Sequence, residues 1–199
     1  MQKAAEFNKN LFAGEVKQEL VSQAVRVFLS NQRQATAKTK TRSEINRTKK
    51  KWFKQKGTGN ARHGAQTPNI FVGGGVAHGP TGTQNYNLKL SAKMKKQALL
   101  SALALQADHI FVDDAFTKVD GKTKTAAKIL AESLKNDARV LLVVDQKNAD
   151  LMRSYNNLSQ VYLITARYLS LLPVVNADQI IFSTAGAQAL AARLLGEEK

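Results

Sequence analysis

Apolar positions along the chain fall into two patterned regions separated by a long stretch, residues 36–90, with almost no periodicity. In the first region Leu20, Val21, Ala24, Val25, Phe28 and Leu29 recur at three-to-four spacing. This predicts an amphipathic helix over residues 16–33, with Gln18, Glu19, Ser22, Gln23 and Arg26 on the other side. The segment before it is short and carries no readable pattern. The second region opens at Ser91, a good N-cap. Met94, Ala98, Leu99, Ala102, Leu103 and Leu105 then give the helix 91–107 a broad apolar side.

From residue 110 short continuous apolar runs alternate with helical periodicity. The runs are 110–112, 140–144, 161–164 and 179–182. Between them lie a helix over 122–134, carried by Ala126, Ala127, Ile129, Leu130 and Leu134, and a helix capped by Asn148 through Leu151, Met152 and Tyr155. Residues 169–175, interrupted by Pro173, read as a loop or a broken turn. A last helix, capped by Thr184, runs through Leu190, Leu194 and Leu195 and ends at Gly196. Continuous apolar strands alternating with helices predict an α/β fold with a mainly parallel, about four-stranded sheet covered by helices on both faces and joined by right-handed crossovers. A single globular domain is expected from residues 1–35 and 90–199, with residues 36–89 as a long extended loop. Asp113, Asp114 and Asp145 fall at strand ends, where α/β enzymes hold ligands. No His or Cys joins them, and they read as caps or turn acids.

Charge changes the picture of the middle stretch. The 199-residue chain carries a formal +15. Residues 38–107 hold fourteen Lys or Arg and one acid, Glu44, whereas residues 108–199 hold eleven of each sign. A solvated surface mixes signs; a block of one sign marks a polyanion site. A cationic, glycine-rich segment gains little from collapsing onto itself, because repulsion and lost chain entropy oppose it. RNA is the expected polyanion. Residues 36–56 alternate Lys40, Arg42, Arg47, Lys49, Lys50, Lys51, Lys54 and Lys56 with Thr, Asn and Ser, types suited to phosphate and sugar contacts. Trp52 and Phe53 follow the lysine run directly, a placement that suits stacking on unpaired bases or packing within the segment.

The segment 55–59, Gln55, Lys56, Gly57, Thr58 and Gly59, can bring backbone amides to an anion. Arg62 and His63 follow it. A second glycine cluster, Gly73, Gly74 and Gly75 and then Gly79 to Gly82, is preceded by Ile70, Phe71 and Val72, expected as a short strand leading to a turn. The loop would thus run out and return like a hairpin. His78 lies in this cluster; two histidines without nearby acids or thiols fit RNA contact or solvent better than a metal. Lys93, Lys95 and Lys96, with Lys89 just before Ser91, crowd the first turns of the next helix, where the helix dipole disfavours cations; phosphates at the helix start are the expected partners, with a solvated lysine face as the alternative.

Other classes fall away. The glycines fail the dinucleotide spacing, since Arg62 and His78 stand three residues after Gly59 and Gly75. Gly121-Lys122-Thr123 resembles the end of a phosphate-binding loop, but Phe116 occupies the position of its first glycine. With no cysteine, disulfides and thiolate-held zinc are excluded. Neither a leader-like start nor a run near the ~20 apolar residues of a membrane helix is read, so a cytoplasmic protein is expected. No cofactor, metal, membrane or small-molecule substrate is expected.

The run K-W-F-K-Q-K-G-T-G-N-A-R-H-G from Lys51, followed by G-G-G-V-A-H-G-P from Gly73, resembles the bacterial form of the large-subunit ribosomal protein L-four family. T-R-S-E before it and K-L-S-A-K-M-K-K-Q-A-L-L-S-A-L after it match as well, and the likeness covers residues 6–195. Three departures stand out: Asn60 where the family commonly has Arg or Lys, an extra residue between Trp52 and Gln55, and a shorter N-terminus expected to lack a first strand pair. The resemblance implies a structural, non-enzymatic protein that binds large-subunit (23S-type) rRNA early in assembly. It also implies a loop reaching the peptide exit tunnel beside ribosomal protein L-twenty-two and the nascent peptide, with residues 55–59 at its tip. Some members of such a family also repress their own operon; a role as an RNA-binding repressor remains the alternative reading.

Overall fold

The computed structural model describes residues 2–3, 7–12, 14–133 and 138–196. The strands are β1 (Gln2–Lys3), β2 (Ile110–Val112), β3 (Val140–Val144), β4 (Val161–Thr165) and β5 (Gln179–Phe182). They form one sheet in the order β1-β2-β5-β3-β4. The four apolar runs of the sequence are β2 to β5, and all their pairings are parallel. β1 adds a two-residue antiparallel edge, Gln2 opposite Val112 and Lys3 opposite Phe111. So short a strand leaves no alternation to detect in a sequence.

Helices cover both faces. In chain order they are α1 (Lys9–Phe12), α2 (Gln18–Asn31), α3 (Ala92–Leu105), α4 (Thr123–Ser133), α5 (Ala149–Tyr155), α6 (Leu171–Asn176) and α7 (Thr184–Leu195). Side chains alternate across a strand, and β3, buried along its whole length, divides the core accordingly. Leu141 and Val143 join Ile180 and Phe182 under α1, α2, α3, α6 and α7. Val140, Leu142 and Val144 join Leu163 and Ile181 under α4 and α5. Phe12 meets Phe182 edge-on at 5.4 Å. On the other face the Tyr155 hydroxyl donates to the Phe116 carbonyl at 2.9 Å. Burial pushes that phenol up to about 12, so it remains a donor.

Several boundaries differ from the sequence reading. Pro173 lies inside α6; as the third helical residue its missing N–H costs no intrahelical bond, so the first turn accepts it. The last helix is capped by Ser183, whose Oγ accepts from the Gly186 N–H at 3.0 Å. Thr184 is instead its first residue and binds Asp114, through its N–H at 2.8 Å and its hydroxyl. Asp113 accepts from the Ala115 N–H at 2.9 Å as a turn acid. Leu29 and Leu105, expected on apolar faces, are exposed. Leu134 lies outside the described residues. Met1–Leu29 with Lys89–Lys199 make one compact unit, and Ser30–Leu88 make a second. Among the described residues no helix is long and apolar enough to cross a membrane.

The Asp114–Thr184 pair ties the end of β2 to the start of α7. Thr184 holds the Asp114 carboxyl below its ordinary 3.8, first through its hydroxyl and then through its amide. A depressed folded-state value means stabilisation that is present above the ordinary value and lost as pH falls through the lowered one. Asp114→Ala should therefore cost about 1 kcal/mol near neutrality. The difference from the parent should shrink as pH falls below 3.8, as measured by urea denaturation across pH.

Candidate nucleic-acid interface

The unit Ser30–Leu88 holds its form through tertiary cross-links between irregular segments. Its start runs against its end. Lys38 and Thr81 form an isolated antiparallel bridge. The Thr39 N–H reaches the Pro80 carbonyl at 2.8 Å, and the Val76 N–H reaches that of Lys40 at 2.9 Å. Nearer the ends, the Ser30 hydroxyl donates to the Tyr86 carbonyl at 2.7 Å. The Asn31 side chain brackets Leu88, donating to its carbonyl at 3.1 Å and accepting from its amide at 2.8 Å. The Arg33 guanidinium lies 4.2 Å over the Tyr86 ring, a cation–π contact.

The unit holds a cluster of partly exposed rings. Trp52 meets Phe71 edge-on at 5.2 Å and Phe53 at 5.7 Å, while His63 sits 5.1 Å from Phe71 and 5.9 Å from Phe53. Trp52 thus has partners inside its own unit yet remains 49% exposed. Ile70, Phe71 and Val72 do not form the expected strand. They form consecutive turns, with the Phe71 N–H on the Pro68 carbonyl at 3.2 Å and the Gly74 N–H on the Phe71 carbonyl at 2.8 Å. Pro68 and the glycines that follow favour turning over extension.

Two groups of sequence-selected residues are tied into the unit's own backbone, Arg47 while its side chain stays exposed. Arg47 Nη1 donates to the carbonyls of Gln66 at 3.2 Å and Val72 at 2.9 Å, and its guanidinium lies over Gly73. Gly74 and Gly75 sit where the backbone crosses itself: an added Cβ would fall 1.9 Å from the Pro68 carbonyl oxygen and 2.3 Å from the Arg42 nitrogen. Their lack of a side chain is therefore required by the unit's own packing. Glu44 closes a turn, accepting from the Thr41 N–H at 2.9 Å and its hydroxyl at 3.0 Å, and pairs with Lys38 at 3.3 Å. The Thr41 amide, then its hydroxyl, then Lys38 hold that carboxyl below the ordinary range.

The remaining cations face solvent. Lys40, Arg42, Lys49, Lys50, Lys51, Lys54, Lys56 and Arg62 are all exposed. Among the described residues Lys38 is the one base of residues 38–107 paired to a carboxylate. Lys51 Nζ donates to Gln55 Oε1 at 2.6 Å, across the start of segment 55–59. Gly57 and Gly59 adopt φ of +83° and +67°, and an added Cβ would meet nothing within 4 Å beyond the adjoining residues, an open loop with backbone geometry that favours glycine. His78, also exposed, has φ of +54°. Lys89, Lys93, Lys95 and Lys96 are exposed too, but belong to the other unit. The last three sit in the first turns of α3, where no acid offsets them and Ser91 Oγ accepts from the Met94 N–H. Among the described residues no three His, Asp or Glu side chains converge as a metal site would require.

Sequence reasoning missed Phe71 and His63 as members of the aromatic group and Arg47 as a tie between backbone segments. The one available signal was a set of aromatic residues in a segment without periodicity. Partners nineteen and twenty-five residues away from Arg47 leave no local trace.

The chain matches the family described as "Ribosomal protein L4/L1 family" over residues 5–193. It is 35% identical over 187 residues to the "Large ribosomal subunit protein uL4" of Geobacter sulfurreducens, covering 93% of this chain and 89% of that protein. The protein of the same name from Aquifex pyrophilus is 36% identical, covering 88% of this chain and 89% of its own length. That from Corynebacterium glutamicum is 36% identical, covering 90% and 83%.

The bracing role of Arg47, itself exposed, is separable from that of the lysines. Arg47→Ala should loosen the turn at residues 66–74 by about 1 kcal/mol and speed hydrogen exchange of the Phe71 and Gly74 amides several-fold. Lys49→Ala should leave both amides at the parental rate, as read by amide-resolved exchange on the free protein.

Proposed function

The chain belongs to the ribosomal protein L4/L1 family, and from that membership we propose that it is a structural constituent of the large ribosomal subunit, binding large-subunit rRNA through the basic unit Ser30–Leu88. Its contribution is architectural: it presents fixed cations to RNA and carries out no bond chemistry. The observation that carries this reading is the separation of roles within residues 38–107. The one acid, Glu44, is spent on Thr41 and Lys38, so the outward charge is cationic and uncompensated. Neutral contacts meanwhile fix the shape beneath it.

On this reading Lys40, Arg42, Lys49, Lys50, Lys51, Lys54, Lys56 and Arg62 contact phosphates, and binding gains from the counterions they release. Lys89, Lys93, Lys95 and Lys96 form a second set of phosphate contacts at the start of α3. Half of the Trp52 surface stays available for a base. Arg47, Gly74 and Gly75 serve the same end indirectly, by holding the backbone that bears the contact residues. The open segment of Gln55, Lys56, Gly57, Thr58 and Gly59 is the candidate tip. As the family likeness implies, it would lie in the peptide exit tunnel near ribosomal protein L-twenty-two and the nascent peptide, and binding would come early in subunit assembly.

The test is binding to a large-subunit rRNA transcript across a salt series. Replacing Lys49, Lys50 and Lys51 together by Ala should weaken binding and lower the slope of log K against log salt by about 2. An unchanged slope would remove these lysines from the interface. For the tip, crosslinking from position 56 in intact large subunits should capture rRNA or nascent peptide; capture of neither would place the segment elsewhere.

A further inference from the structure

One feature of the basic unit is not explained by phosphate binding. Ile70 and Val72 are 72% and 97% exposed, while Phe71 between them points into the aromatic group, 5.2 Å from Trp52 and 5.1 Å from His63. The two apolar side chains therefore project from a turn anchored from within. The turn is fastened on every side: Phe71 N–H to Pro68, Gly74 N–H to Phe71, Gly75 N–H to Thr67 at 2.9 Å, and Arg47 to the Val72 carbonyl at 2.9 Å. Both side chains are β-branched and stiff at χ1, so little freedom is left to lose when something covers them. Two rigid apolar side chains held in water are unfavourable in the free protein and favourable only once covered.

The surroundings say what covers them. The Arg47 guanidinium borders Val72 and Gly73, and the Arg42 backbone lies against Gly75. No acid occurs between Glu44 and Asp108, and Glu44 is neutralised locally. An apolar pair set in a one-sign cationic surface fits a partner that is anionic overall yet offers apolar faces. RNA has such faces where bases leave the helical stack. Apolar side chains that insert at unstacked bases are a known device of nucleic-acid binding.

We propose that Ile70 and Val72 form an apolar wedge that packs against unstacked nucleobases of the RNA, while the exposed cations of the same unit hold its phosphates. This rests on the rRNA-binding reading and adds to it a contact that is insensitive to salt.

The experiment compares the parent with Ile70→Ser/Val72→Ser and with Val72→Leu. Each is titrated against a large-subunit rRNA transcript over a salt series, with base-modification footprints of the complexes. The double variant should bind about tenfold more weakly at every salt concentration, because exposed apolar area is no longer covered. Its salt slope should match the parent's, since no charge is removed. Its thermal unfolding should also match, since both side chains are exposed. Protection should be lost at a few unpaired bases only, and Val72→Leu should bind as the parent does. Parental affinity in the double variant would overturn the wedge and leave rRNA binding intact. So would a flattened slope, which would make the contribution electrostatic. Normal affinity for naked rRNA with poorer incorporation into large subunits would assign the face to a neighbouring protein, again overturning the wedge. A parent without salt-dependent rRNA binding would overturn the rRNA reading and the wedge with it.

Discussion

Repulsion among like charges is the constraint that the unit Ser30–Leu88 has to meet. Its bases stand close in sequence with a single acid among them. A fold held mainly by ion pairs is not open to it, because Glu44, paired with Lys38, is the one counter-charge. Contacts that need no net charge do the work instead: rings packed on rings, amides on carbonyls, and backbone crossings at Gly74 and Gly75. Arg47 fits the same logic. Its guanidinium binds carbonyl dipoles where no carboxylate exists, and a planar fork of donors suits that task.

The unit built on the sheet solves an ordinary problem in an ordinary way. β3 is covered on both faces, and the strands beside it extend two apolar layers. Hydrophobic burial is the main force that holds this part of the chain together. Its charges balance over residues 108–199, and its acids cap and brace, as Asp114 does on Thr184 and Asp178 on Arg139. Thus one part of the chain is stabilised mainly by excluding water. The other keeps a thin neutral scaffold and gives its surface to charge.

How much of this was legible in the sequence depended on whether the signal was local. β3, with five consecutive apolar residues, could be read directly, because a strand covered on both faces writes its burial into adjacent positions. Ser91 was likewise readable as a cap. Pro173 misled, since a proline argues against a helix unless it falls in the first turn, and the turn's start could not be located. Ser183 and Thr184 are both acceptable caps by type; Ser183 takes the position while Thr184 binds Asp114, seventy residues away, a partner that leaves no local trace. Ile70 to Val72 have strand-forming side chains, but Pro68 and Gly74 bend the backbone around them. In the candidate interface the charge block was plain, whereas the difference between Arg47, which is bound to backbone carbonyls, and the other exposed cations depends on the tertiary path. The place of Trp52 is of the same kind: both of its alternatives were visible, and the tertiary path gives it ring partners while leaving half its surface open.

The neutral character of that scaffold has a practical corollary for handling the protein. Added electrolyte damps the mutual repulsion of the exposed lysines within a few ångströms and leaves ring packing and amide bonds untouched. Concentrated brine, which strips a cationic protein from polynucleotide, should therefore steady this unit once it is released. Dilute buffer is where the liberated molecule would be most at odds with itself.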